Sequence, residues 1–397
     1  MKKPELLAPA GSLEKLKIAL MYGADAVFLG GKQFSLRSRA SNFELSTIEE
    51  AVNFAHALGK KVYVTTNIFP HSDDLEGLIP YLQALETIKV DAIICASPAV
   101  IDLAKKHTNL EIHVSTQQSI TNSKAIDFWY KRGVKRVVLA REVSLNELST
   151  LKDNTQADLE VFIHGGMCVS YSGKCTLSNT MTDRDANRGG CAHSCRWNYD
   201  LIENNEVVND KTPFSMASKD LQSVRYISKI IDLGIDSLKI EGRMKSIHYI
   251  ATVVKTYRKL IDDLIDDMHV DIPKYLLEIK KAENRLSSFG FMEGMTTTEQ
   301  QLYDLRNEQP TQTFIGLVKA YDSLTNTVTI EQRNHFKTGD RVEVLSPTFE
   351  PTTFIVPKME DENGNKLTTA RHPKQLITFE IPIPLSPFDM IRKVKDK

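Results

Sequence analysis

The chain predicts an α/β protein: a (β/α)8 barrel of the TIM type with a cysteine-rich insertion, followed by a small antiparallel β-barrel. Three observations carry this. Eight short, near-continuous apolar runs alternate with helical patterns between residue 5 and about residue 265. Four of the five cysteines crowd into one stretch, Cys168 to Cys195, between the seventh and eighth runs. After residue 313 the pattern changes to alternating segments split by turn signals.

The apolar runs are Glu5–Ala8, Ala26–Leu29, Lys61–Thr66, Asp91–Cys95, Glu111–Val114, Arg136–Ala140, Leu159–Ile163 and Ser237–Ile240. Runs this rich in Val, Ile and Leu suit parallel strands buried on both faces. Helical patterns separate them. Ser12–Met21 has Ser12 as its N-cap, and Thr47–Leu58 opens on Ser46–Thr47 with Glu49 and Glu50 in its first turn. Ile126–Arg132 stops at Gly133 and Ser218–Leu233 at Gly234, while His248–Asp263 is the last barrel helix. Such units in a row predict a barrel. A doubly wound open sheet is the alternative, and it lacks a Gly-rich dinucleotide turn here.

The expected organisation is a barrel over residues 1–268, with the insertion at about 165–217. A helical and irregular connector follows over 269–312, then a small β-barrel over 313–397. The last contains FIGLVKAY, TVTIEQ, DRVEVLS, TTFIVPK and LITFEIPI, with a turn at Glu362–Asn365. The end of the chain, Arg392–Lys397, reads as a merely charged tail.

A net charge of −1 argues against a general nucleic-acid binder but leaves room for an enzyme that docks one RNA through a local patch. No apolar stretch reaches the roughly 20 residues that span a membrane. The start, MKKPELLAPAGS, has no signal-peptide pattern, so the chain is expected in the cytoplasm, where disulfides are rare.

The cluster reads Cys-x6-Cys-x15-Cys-x3-Cys over Cys168, Cys175, Cys191 and Cys195. Three readings compete: a [4Fe–4S] cluster on four thiolates, a structural Zn in a thiolate tetrahedron, and coincidence among buried cysteines. Zinc favours pairs two to four residues apart, and only Cys191 and Cys195 resemble one. The longer gaps, with Gly165, Gly166, Gly173, Gly189 and Gly190 among them, suit loops wrapped round a larger object. The CxxxCxxC run of radical enzymes is incomplete, because Asn198 stands in its third place. Cys95 falls inside an apolar run and reads as a core residue.

Residues just past barrel strands point into the site. His164, Lys239 and Glu241 are therefore the candidates for catalysis, and Arg37, Asn67, Gln117, Arg141 and Arg243 for substrate binding. Arginines suit an anionic substrate because guanidinium forks onto carboxylate or phosphate. The bland reading makes each an ion-pair partner, with Glu142 and Glu241 as local mates. Around the last cysteines, Arg184, Arg188, His193, Arg196, Trp197 and Tyr199 combine charge and stacking, as sites for a splayed-out base do; a solvated loop is the plainer reading.

The stretch LEVFIHGGMCVSYSGKCTLS, residues 159–178, resembles the signature of peptidase family U32, the collagenase-like family. Glu160, Phe162, Gly165, Cys168, Gly173, Cys175 and Ser178 match it, and Gly166 stands where Ser or Ala is usual. ELLAPAGSLEKLKIALMYGADAVFLGG, HVSTQQSITN and SLKIEGRMKSIHYIATVVKTYR agree with further family segments. The resemblance implies an oxygen-independent hydroxylase with a [4Fe–4S] cluster on the four cysteines. It points most to the group that forms 5-hydroxyuridine at the wobble position of tRNA. In that group prephenate is the implied hydroxyl source, and some bacteria use a second, shorter family member as partner. Other members act on ribosomal RNA or a ubiquinone precursor. The historical label of the family leaves a peptidase open, although there is no HExxH helix and no GxSxG elbow. A non-enzymatic RNA-binding protein with structural zinc is the third reading.

Overall fold

The computed structural model describes residues 2–36, 42–208, 214–302 and 313–394. Eight parallel strands form the barrel: β1 (Glu5–Pro9), β2 (Ala26–Gly30), β3 (Lys61–Thr66), β4 (Ala92–Cys95), β5 (Glu111–Val114), β6 (Arg136–Val138), β7 (Asp158–Gly165) and β8 (Ser237–Ile240). Each pairs with the next in chain order, and β8 pairs with both β7 and β1, which closes the ring. Eight helices pack outside: α1 (Leu13–Met21), α2 (Leu45–Ala57), α3 (Leu78–Thr87), α4 (Pro98–His107), α5 (Ser123–Tyr130), α6 (Leu145–Asp153), α7 (Ile227–Asp232) and α8 (Ile247–Ile265). Ser12 caps α1, its side chain accepting from the Lys15 amide at 3.3 Å.

Alternate residues divide the core. Leu6, Val27, Val62, Ile93 and Val114 face the helices. Leu7, Ala26, Phe28, Tyr63, Ala92 and Ile94 face inward, and the interior also holds charged side chains. Lys239 meets Glu160 at 2.7 Å, Arg136 meets Glu5 at 2.6 Å and Glu160 at 3.4 Å, and Tyr63 donates to Glu5 at 2.6 Å. Burial alone would raise the Glu160 pKa. Lys239 and Arg136, with His113, outweigh it and hold the carboxyl below its ordinary range.

Two expectations are corrected. Ser218–Leu233 is not one helix. Its first part is a short strand, Asp220–Gln222, antiparallel to the end of β7, and helix begins only at Ile227. Asp220 is held by Arg285 at 2.8 Å, a partner far along the chain that no local pattern reveals. Nor is the C-terminal end only a charged tail. Arg392 is fully buried and ion-paired to Glu343 at 2.8 Å and Glu278 at 2.5 Å.

The connector begins with α9 (Ile272–Lys280) and then runs beside the insertion: Ser287–Ser288 pairs with Asp220–Leu221, so the barrel sheet continues into it. The C-terminal strands are β9 (Thr313–Asp322), β10 (Thr327–Gln332), β11 (Arg341–Leu345), β12 (Thr352–Ile355), β13 (Met359–Asp361), β14 (Lys366–Leu367), β15 (Leu376–Glu380) and β16 (Met390–Lys393). They form one antiparallel sheet in the order β12-β11-β16-β9-β10-β15-β13-β14, a half-barrel around Ile330, Val342, Val344, Ile377 and Ile391. Arg392 and the stacked pair His248–Phe314 join it to α8 and α9. Among the described residues no helix is long and apolar enough to cross a membrane.

Candidate metal centre at the barrel mouth

The cysteine insertion leaves β7 at Gly165, whose φ of 107° favours glycine and whose Cβ position would collide with the Glu241 carbonyl. It then folds across the C-terminal mouth of the barrel. The loop between Cys168 and Cys175 sits on the β5 and β6 ends. Glu142 accepts from both the amide and the hydroxyl of Ser172 at 3.0 Å, and Ser119 donates to the Ser172 carbonyl at 2.5 Å. Gly173, at φ 75°, lies on the Gln117 backbone with no room for a side chain. The stretch before Cys191 docks on the β3 end: Phe69 donates to the Asn187 carbonyl at 3.1 Å and Arg188 pairs with Asp74 at 2.7 Å.

All four cysteines are free thiols; Cys168 is exposed and the other three half-buried. Burial raises the Cys195 pKa. Arg196 opposes this, while Cys168, Cys191 and Cys175 each push the same way, so each of these three thiols lies within electrostatic reach of Cys195. Among the described residues no three His, Cys, Asp or Glu side chains gather as they would around a single ion. Three buried polar atoms in the Cys168–Cys195 segment have no protein partner: Ser170 Oγ, Ser194 Oγ and Arg184 Nε. Buried donors are nearly always satisfied, so these three fit a bound group rich in sulfur acceptors. The four thiols and the orphaned donors together fit an iron–sulfur cluster.

The other candidates separate. Arg37 lies outside the described residues. Asn67 and Gln117 are joined: the Asn67 amide donates to Gln117 Oε1 at 2.6 Å, and Gln117 donates to the Asn67 carbonyl at 2.8 Å. Asn67 Oδ1 also accepts from the Leu36 amide at 3.0 Å. Arg243 reaches across the mouth to Ser35 at 3.2 Å, Thr65 at 3.3 Å and the Leu36 carbonyl. Lys239 lies inside the barrel on Glu160. Glu241 follows β8, its amide on the His164 carbonyl at 2.8 Å. Arg141 lays its guanidinium 3.6 Å above the centre of the Phe162 ring.

His164 faces away from the mouth. A β-bulge between Lys239 and Ile240 sets His164 rather than Ile163 opposite Ile240, and this turns its ring outward against α8. There it meets the Tyr257 hydroxyl at 3.3 Å and packs on Tyr249 and Tyr257. Burial pushes its pKa down to about 4.

Sequence reasoning missed Phe162, which orients Arg141, and Asp220 with Arg285. Phe162 stands two residues after Glu160, a spacing that puts both on one strand face. For Asp220 the sequence carries no signal.

Residues 11–302 match Peptidase family U32, and residues 310–392 match Peptidase family U32 C-terminal domain. The chain is 49% identical to "tRNA hydroxylation protein P1" of Bacillus subtilis, over 99% of this chain and 96% of that protein. It is 32% identical to "tRNA hydroxylation protein P" of Escherichia coli, over 97% and 94%. Over 66% of this chain and 40% of the other, it is 37% identical to the "23S rRNA 5-hydroxycytidine C2501 synthase" of Escherichia coli. With both of its parts matched, and with relatives this similar along their full length, the chain belongs to peptidase family U32.

Proposed function

We propose that this protein takes part in tRNA hydroxylation, forming 5-hydroxyuridine at the wobble position without oxygen. In this reading a [4Fe–4S] cluster sits on Cys168, Cys175, Cys191 and Cys195, and prephenate supplies the hydroxyl. The observation that carries it is the roof over the barrel mouth, a single insertion that holds Cys195 with three thiols in its electrostatic reach and three buried polar atoms without a protein partner. Relatives along the whole chain that are named for tRNA hydroxylation support the substrate.

The spacing of the thiols favours the cluster over zinc. Four thiolates on one Zn²⁺ each stand about 2.3 Å from the same ion. In a cluster each binds a different iron, which suits the long sequence gaps of six and fifteen residues between them. When bound, the cluster supplies the redox chemistry that side chains lack. This chain's own residues position and shield. Ser172 and Gly173 press the roof onto the β5 and β6 ends, and Arg243 fixes residues 35 and 36 under its other side. The peptidase reading has less support, because four thiolates on a metal leave no open position for a hydrolytic water.

The test is mass spectrometry of tRNA from a deletion strain complemented with wild type or Cys175→Ala. Loss of 5-hydroxyuridine derivatives on deletion, restored by wild type alone, is expected; unchanged tRNA on deletion overturns the reading. Anaerobic purification with iron, sulfide and zinc assays tests the cofactor, and stoichiometric zinc without iron overturns the cluster.

A further inference from the structure

The barrel and its mouth are rich in cations, and most are spent. Lys239 is paired with Glu160, and Arg136 with Glu5 and Glu160. Arg188 is paired with Asp74, and Arg243 holds two hydroxyls and a carbonyl. Arg141 differs. Its neighbour Glu142, the obvious mate in sequence, directs both carboxylate oxygens to Ser172. Among the described residues the Arg141 guanidinium has no acidic partner, and what it touches is the face of Phe162.

Stacking leaves the in-plane N–H groups of a guanidinium available, which is the geometry of a bidentate fork. Phe162 stands one inward position above Glu160 on β7, so the fork lies at the mouth and not inside the plug of charges. The Arg141 backbone is also fixed, its amide donating to Ser172 Oγ at 3.5 Å, so the fork is tied to the loop that carries Cys168 and Cys175.

We propose that Arg141, held flat by Phe162, is the seat for one carboxylate of a small anionic co-substrate, with Phe162 a positioning residue. Arg243 belongs to the scaffold instead. A small ligand fits better than an RNA phosphate because the insertion is seated on the β3, β5 and β6 ends around this point. The proposal rests on the hydroxylase reading above and names the carboxylate-binding group within it.

The test is calorimetric titration of prephenate into the anaerobically purified full-length protein, with tRNA binding measured in parallel. Losing a charge-assisted bidentate bond costs roughly 10- to 100-fold in affinity. Arg141→Ala is expected to weaken prephenate by about that much, with iron content and tRNA affinity unchanged. Arg141→Lys, which keeps the charge but not the fork, should fall between, and it decides the matter should the alanine variant misfold. Phe162→Leu should raise the prephenate KM several-fold with kcat kept, and Phe162→Tyr should restore it. Unchanged prephenate affinity in both Arg141 variants overturns the seat while leaving the hydroxylase reading intact. A loss confined to tRNA affinity overturns it in favour of an RNA phosphate. A wild-type protein that binds no prephenate overturns it outright, and tRNA analysis of the deletion strain then shows whether the hydroxylase reading stands.

Discussion

Inside the barrel, Glu160, Arg136 and Lys239 are buried charges, and each has an opposite charge within 3.4 Å. In the insertion over the mouth, Ser170, Ser194 and Arg184 bury polar atoms that meet nothing. Both regions are polar and shielded, and the barrel too leaves Arg136 Nε and His113 Nδ1 without a partner, yet its charges close on one another in ion pairs while the three atoms of the insertion are left open. A closed network fixes the geometry of the strands that carry the mouth. An open one is a socket. The difference locates function better than polarity does, because buried polarity occurs at both levels of the barrel.

The largest way to break the comparison is to open the closed side. Glu160→Ala leaves Lys239 buried without its carboxylate and Arg136 with Glu5 alone. Removing one partner of a buried pair costs about 3–5 kcal/mol. Urea unfolding should show a loss of that size. Glu160→Leu with Lys239→Met should recover most of it, since apolar replacement removes the uncompensated charge as well. A single variant within about 1 kcal/mol of wild type would mean that the network is solvated and not closed.

His164 tests where the boundary between the two regions runs. The unfolded chain protonates this residue near its ordinary 6.5, the folded chain only near about 4. Between those values the unfolded state binds more protons, so stability falls as pH drops from 6.5 toward 4 and is fully present above 6.5. The difference between the two states corresponds to at most about 3.4 kcal/mol. Denaturant midpoints measured from pH 7 to pH 4 should fall less steeply for His164→Gln than for wild type. An unchanged slope would place His164 in contact with water, as a mouth residue is.

Much of this was legible in the sequence. Each of the eight barrel strands was expected within two residues of its observed bounds, because strands buried on both faces announce themselves by local composition alone. The cysteine spacing marks the insertion as a candidate metal centre. Roles at the mouth were not legible, for three physical reasons. His164 reads as a site residue because it follows the seventh apolar run, and a one-residue bulge turns it the other way. Arg141 and Arg243 look alike in sequence, and only the capture of Glu142 by Ser172, thirty residues on, tells them apart. Asp220 was read as part of a helix because its spacing is helical, while its partner Arg285 lies beyond any local window. Composition reports burial; it does not report which partner a buried charge has found.

The smallest expected effect sharpens the comparison most. Ser194 is 1% exposed, lies between Cys191 and Cys195, and has a hydroxyl with no protein partner. Its carbonyl is occupied, accepting from the Tyr199 hydroxyl at 2.6 Å, so the backbone is fixed while the hydroxyl stays uncommitted. If that hydroxyl serves a sulfur of the bound group, Ser194→Ala should leave iron content intact and change stability by less than about 1 kcal/mol, because no protein hydrogen bond is lost. The measurable change is electrochemical. A donor to cluster sulfur stabilises the more negative, reduced state, so its removal should move the reduction potential of the protein downward. Redox titration followed by EPR reads this directly, with Ser194→Thr, which keeps the hydroxyl, near wild type. Equal potentials in the alanine and wild-type proteins would mean that the hydroxyl faces away from the cluster, and that the open side of the comparison is defined by the thiols alone.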